Sequence, residues 1–193
     1  FFFKQKTAYE IPKRDWSSDV CSSDLEGRCA SVIEGRAHFF SLIPQSASAL
    51  EIGPFNNPCI HGPNVRYFDT LSTDGLRRRA AEIGIDPARI PHIHWVDQNG
   101  DLGVVDEKFD YCVSSHAIEH QPDLVRHLGA VSRLLSPGGR YVMAVPDRRY
   151  TFDHFIKESN IAEVIEAHRQ KRTLHTLQRS EEHTSELQSR FGI

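Results

Sequence analysis

Short apolar, β-prone runs alternate with helix-patterned stretches along residues 49–170, and that alternation restricts the chain to one architecture. Residues 49–53 (ALEIG) form an apolar run ending in glycine, and 65–68 (VRYF) form a second, followed by Asp69. Residues 92–96 (HIHWV) alternate, 109–115 (FDYCVSS) are β-prone, and 139–145 (GRYVMAV) end at Pro146. Runs of this length, rich in branched and aromatic side chains, predict strands. Between them, 73–84 (TDGLRRRAAEIG) carries Leu76, Ala80 and Ile83 at helical spacing, with Thr73 as the expected N-cap and Gly84 at the end. The arginines at 77–79 read as the solvated face of that helix. Residues 122–135 place Leu124, Leu128, Val131, Leu134 and Leu135 on one stripe, with Pro122 in the first turn and Pro137, Gly138 and Gly139 as the stop. A last helix is expected over 159–170 (SNIAEVIEAHRQ). Strands alternating with helices at this interval predict an α/β fold, a doubly wound and mainly parallel sheet of about five strands with right-handed crossovers.

The two ends carry no such pattern. Residues 15–25 (DWSSDVCSSDL) and 179–189 (RSEEHTSELQS) are polar, low-complexity segments related through DNA: one strand of a short duplex encodes the first, and its complement encodes the second. Together with FFFKQKTAYEI at the start, they resemble translated sequencing-adapter DNA around a metagenomic fragment. Residues 1–25 and 179–193 are therefore expected to be non-native, leaving 26–178 as the folding domain, cut short at its C-terminal side. The formal net charge of −3 becomes −2 over that stretch, so nothing electrostatic points to nucleic acid. No apolar run reaches the length of a membrane span, and none resembles a secretory leader, which makes the cytoplasm the expected compartment. Cys29, Cys59 and Cys112 show no Cys-x-x-Cys spacing and read as free thiols.

In a parallel sheet, ligands bind beyond the carboxyl ends of the strands. Here those positions are Glu51 and Gly53, Asp69, Asp97, and Ser114, Ser115 and His116. A carboxylate after the second strand can accept hydrogen bonds from both hydroxyls of a ribose, and Gly53 lets backbone approach a ligand closely. With ALEIGP at 49–54, FDYCVSSHAIEH at 109–120 and LLSPGGRYVMAVP at 134–146, the chain resembles a class I S-adenosylmethionine-dependent methyltransferase, over residues 49–155.

That resemblance implies a Rossmann-like sheet, usually of seven strands, and S-adenosyl-L-methionine as cofactor. It implies that Glu51, Ile52, Gly53 and Pro54 flank the methionine part, that Asp69 binds the ribose, that Asp97 lies near the adenine, and that Ser115 and His116 line the pocket. The family's G-x-G-x-G turn is absent: Gly53 is followed by Pro54, Phe55, Asn56, Asn57 and Pro58, and a left-handed residue is expected at Asn56 or Asn57. The same absence counts against a nicotinamide cofactor, whose pyrophosphate needs G-x-G-x-x-G. The expected reaction is methyl transfer to an oxygen or nitrogen of a small-molecule or saccharide-linked acceptor, with His116 or His120 as candidate base and His154 as a third. Asp147, Arg148, Arg149 and Tyr150 are placed to meet an acidic acceptor or solvent.

Two other readings stay open at this level. An inactive cofactor-binding fragment would follow if the strands beyond the fifth are missing, since the fifth would then be an open edge. Separately, His116, Glu119 and His120 fit H-x-x-E-H, an inverted zinc-hydrolase motif, although Pro122 follows at once and no third ligand is evident. His92 and His94 share a strand face and are expected to pack or meet solvent.

Overall fold

The computed structural model describes residues 33, 35–147, 149 and 157–175. At its centre β1 (Ala49–Ile52) is buried at every position, as a strand covered on both faces must be. Around it lie β2 (Val65–Asp69), β3 (Trp95–Val96), β4 (Phe109–Ser115) and β5 (Leu135–Ala144), in the order β3-β2-β1-β4-β5. Every pairing is parallel. Alternate residues feed two cores. Ala49, Tyr67 and Val113 pack with Leu76 and Ala80 of α2 (Thr73–Glu82) and with Phe40 of α1 (Arg36–Ser41). Leu50, Phe68 and Cys112 pack on the other face with Ala130, Val131 and Leu134 of α3 (Leu124–Leu134). This is the expected doubly wound, Rossmann-like sheet, with β5 at the edge among the described residues.

Local departures each have a hydrogen-bond cause. The third strand is expected over 92–96 but pairs only at Trp95 and Val96. Ile93 N–H donates to Thr73 Oγ1 at 2.9 Å and Tyr67 N–H to the His94 ring at Nδ1, so that of the backbone bonds to β2 there His94 N–H to Tyr67 O, at 2.9 Å, is kept while side chains take up the other two amides. With Thr73 so engaged, Ser72 caps α2 instead, accepting from Gly75 N–H. On α3 the buried stripe is His127, Ala130, Val131 and Leu134, and the expected Leu128 is 42% exposed. The stripe turns this way because His127 reaches the Tyr141 hydroxyl, 3.1 Å away.

The Pro-Gly-Gly stop also has another role. α3 ends at Leu134 and β5 starts at Leu135, so residues 137–139 lie within the strand, at a register shift opposite Phe109 and Tyr111. A Cβ on Gly139 would stand 2.9 Å from Ser136 O, 3.1 Å from Phe109 O and 3.2 Å from Asp110 O, all fixed backbone atoms. Glycine is required there by close approach. The last helix, α4 (Ile161–Arg169), opens with a capping box of Asn160 and Glu163 and packs on α3. His168 Nδ1 lies 3.1 Å from both carboxylate oxygens of Asp123, the N-cap of α3.

Candidate functional site

Register aligns the carboxyl ends of the three central strands. Ile52 stands opposite Phe68 on one side and Ser114 on the other. The next row along this edge is Gly53, Asp69 and Ser115. Gly53 N–H continues the ladder to Phe68 O at 2.9 Å, and Asp97 N–H reaches Asp69 O at 3.3 Å. The chain thus gathers the expected Gly53, Asp69, Asp97 and Ser115 at one end of the sheet.

Gly53 turns the chain out of β1 with φ +72°, a left-handed conformation. It is exposed, while Ile52 and Pro54 on either side are buried, so a patch of bare backbone opens at the edge. The second left-handed residue of the turn is Phe55, with φ 42°, and not Asn56 or Asn57. Phe55 packs its ring against the core on the α1/α2 face, and that packing compensates a conformation for which asparagine is otherwise better suited.

Asp69 is 7% exposed. Burial pushes its carboxyl up from the ordinary value, opposed by the backbone N–H groups of Thr70, Phe55 and Leu71; Thr70 N–H donates to Oδ1 at 2.7 Å. Asp97 is turned into its own loop, its Oδ1 accepting from Asn99 and Asp101 N–H, each at 2.9 Å. Glu51 lies beneath the turn and not on its open side. It is 1% exposed, and its carboxylate accepts from Cys59 N–H at 2.8 and 2.9 Å and from Ile60 N–H at 3.2 Å. Burial raises its pKa, against the pull of those amides and of the nearby Arg36 charge.

Arg36 has no counterpart in the sequence expectations. Its Nε donates to Ser115 Oγ at 2.9 Å, and its Nη2 to Asn57 O at 2.9 Å and to Cys59 Sγ at 2.8 Å. A single arginine in a helix of six residues offers no spacing that could have marked it. Burial first, and then the Glu51 charge, push the Cys59 thiol up to about 12 against the opposing pull of Arg36, so it is held as a neutral group.

Beyond β4, His116 has φ 54° and its N–H donates to Ala144 O at 3.0 Å. Its ring is partly exposed, and burial of the rest lowers its pKa below the usual histidine value against the opposing Glu119 charge. Glu119 Oε1 lies 3.7 Å from His116 Nδ1 and 3.9 Å from His120 Nε2. After α4 the chain comes back to this loop, where His175 Nε2 meets His120 O at 3.1 Å. The zinc motif fails here. It needs both imidazoles on one face of a continuous helix, whereas His116 is left-handed and only Ile118–His120 forms a 3-10 turn. Among the described residues no three metal-ligating side chains gather. His92 and His94 pack edge to face, with ring centres 5.0 Å apart. His154 lies outside the described residues, as do Arg148 and Tyr150.

The family described as "Methyltransferase domain" matches residues 25–190, running into the second polar segment. No curated protein matches. Among solved structures, the glycopeptide N-methyltransferase MtfA aligns at 20% identity and a TM-score of 0.42, over 60% of this chain and 55% of that one. Its complex with sinefungin aligns at 22% identity and a TM-score of 0.41, over the same shares. The ribosomal protein L11 methylase of Lactobacillus delbrueckii subsp. bulgaricus aligns at 19% identity and a TM-score of 0.35, over 56% of this chain and 58% of that one. The chain thus spans little more than half the length of these structures.

Proposed function

The chain belongs to the class I methyltransferase family, and from that we propose that it transfers a methyl group from S-adenosyl-L-methionine to an oxygen or nitrogen of a small-molecule or saccharide-linked acceptor. The observation that carries the reading is the aligned row of Gly53, Asp69 and Ser115 at the carboxyl ends of β1, β2 and β4. Residues 26–178 are taken as the domain, with the polar flanks as translated library DNA.

The residues suit the cofactor. Gly53 offers exposed backbone with no side chain in the way, and the neighbouring Asp69 is an acid at the position a ribose diol would meet. Ile52 and Pro54 wall the turn, Ser115 and His116 stand on its far side, and Asp97 lies next along the edge. Glu51 acts from beneath by holding the loop. When bound, S-adenosylmethionine supplies a methyl group already activated on a sulfonium.

What remains for the chain is alignment and proton transfer. For a hydroxyl acceptor we assign the base to His116 or His120. Burial lowers the His116 pKa, which keeps its ring in the neutral form that a general base needs. Its Nδ1 faces Glu119, so Nε2 is the accepting atom. A second reading, a cofactor-binding fragment without turnover, is favoured by the outer side of β5, which has no partner strand among the described residues. No helix among those residues is long and apolar enough to cross a membrane.

Titration calorimetry of the full chain with S-adenosylmethionine and with NAD tests the cofactor. Saturable binding of S-adenosylmethionine alone is expected, and binding of NAD alone overturns the proposal. Asparagine at His116 or at His120 then identifies the base, as the position where turnover is lost and cofactor affinity kept. Binding without turnover in the parent chain supports the fragment.

A further inference from the structure

We propose that Arg36 is a positioning residue for the cofactor site, a guanidinium clamp that fixes the turn after β1 against the end of β4. The inference rests on the cofactor reading above. Arg36 stands on α1, outside every motif of the site, yet its guanidinium reaches two other elements: Asn57 and Cys59 in the turn, and Ser115 at the end of β4. Anchoring the helix does not require this. Phe40, on the same helix, is 1% exposed in the core, with Phe39 edge-on against it at 5.0 Å.

The turn itself explains the need. Where a glycine-rich loop can fold onto its ligand by backbone freedom alone, this one runs Gly-Pro-Phe-Asn-Asn-Pro-Cys, with Phe55 in a left-handed conformation. Such a segment has few stable shapes and must be tied into one. Glu51 ties it from below through the Cys59 and Ile60 amides. Arg36 ties it from the side. The planar fork allows one group to satisfy three acceptors in fixed directions, which an ammonium cannot do. Arg36 also supplies the nearby positive charge for the buried Glu51 carboxylate. Ser115 precedes His116, so the clamp fixes the distance between the turn that would face the cofactor and the loop that would carry the base.

The test compares Arg36→Lys and Arg36→Met with the parent chain. It reads calorimetric affinity for S-adenosylmethionine and, without cofactor, hydrogen exchange over residues 53–60. Both variants are expected to weaken binding about tenfold, the equivalent of one or two lost charge-assisted hydrogen bonds, and to speed exchange in 53–60 while β1 and β4 keep theirs. Parent-like exchange in the lysine variant overturns the clamp, and so does parent-like affinity in a variant whose turn has loosened. If the methionine variant does not fold, the milder lysine variant decides alone. If the parent chain binds no S-adenosylmethionine, the cofactor reading falls, and exchange over 53–60 still decides whether Arg36 holds the turn.

Discussion

Gly53 isolates one physical question, whether the site needs glycine for space or for backbone conformation. A Cβ built there would lie 3.7 Å from Ala117 Cβ, an ordinary contact, so room exists. The φ of +72° is the obstacle, and a left-handed L-residue costs about 1–2 kcal/mol. Gly53→Ala should therefore lower unfolding free energy by about 1 kcal/mol in urea titration. Asparagine, which tolerates this conformation better, should cost less although it is larger. If Asn proves worse than Ala, space and not conformation is limiting. Residues of this kind are legible in sequence, because a glycine or an acid just past a β-prone run has few other uses: Gly53 and Asp69 fall where they are expected. Glu51 lies near the end of β1 as expected, but its direction was not readable, since alternation does not say which strand-end side chains turn under a loop. Arg36 and Phe55 gave no signal, because their conformations are set by partners 21 or more residues away, or by the ring's packing.

Among the elements, the joint between α3 and α4 rests on one side chain. Asp123 accepts from Arg126 N–H at 2.8 Å as the N-cap of α3, and both its oxygens lie 3.1 Å from His168 Nδ1 on α4. The two roles separate by substitution. Asn caps nearly as well as Asp, so Asp123→Asn removes only the charge opposite a half-exposed histidine, at a cost of about 0.5–1 kcal/mol. Asp123→Ala removes the cap as well and should cost about 2 kcal/mol. Thermal unfolding of the two variants checks the order, and equal losses would assign the joint to the ion pair alone. Helices were legible as elements because caps and apolar spacing are local: α2 and α3 fall close to their expected limits, and Asn160 marks the start of α4. What was not legible is where tertiary partners intervene. Thr73 is drawn from capping to the Ile93 amide, β3 is cut to two residues, and the Pro-Gly-Gly segment becomes part of a strand, where surrounding backbone carbonyls leave no room for a Cβ at Gly139.

At the scale of the whole molecule, the parallel, doubly wound sheet followed from alternation, whereas its strand order is seen only in the structure; the two-sided sheet also buries ionisable groups, and these give its stability a dependence on pH. Glu51 and Asp69 have folded pKa values raised by burial; their contribution is present below their unfolded values and lost as pH rises through the folded ones. His127 acts in the opposite direction. It is 5% exposed, its Nε2 meets Tyr141 OH, which in turn bonds Ser114 Oγ at 2.8 Å, and burial lowers its pKa from 6.5 to about 4. Above pH 6.5 the ring is neutral in both states and contributes no slope. As pH falls, the unfolded chain binds a proton that the folded chain refuses, so stability drops by about 1.4 kcal/mol per pH unit, for about 3 kcal/mol in all, until the folded ring protonates near pH 4. His127→Phe keeps an aromatic ring on α3 and leaves Tyr141 bonded to Ser114. Urea midpoints of parent and variant should therefore run parallel above pH 6.5 and converge or cross below it, as the parent alone loses the His127 contribution. Parallel curves down to pH 4 would mean that the ring takes up its proton in place, and that the chain from His127 to Ser114 is open to water.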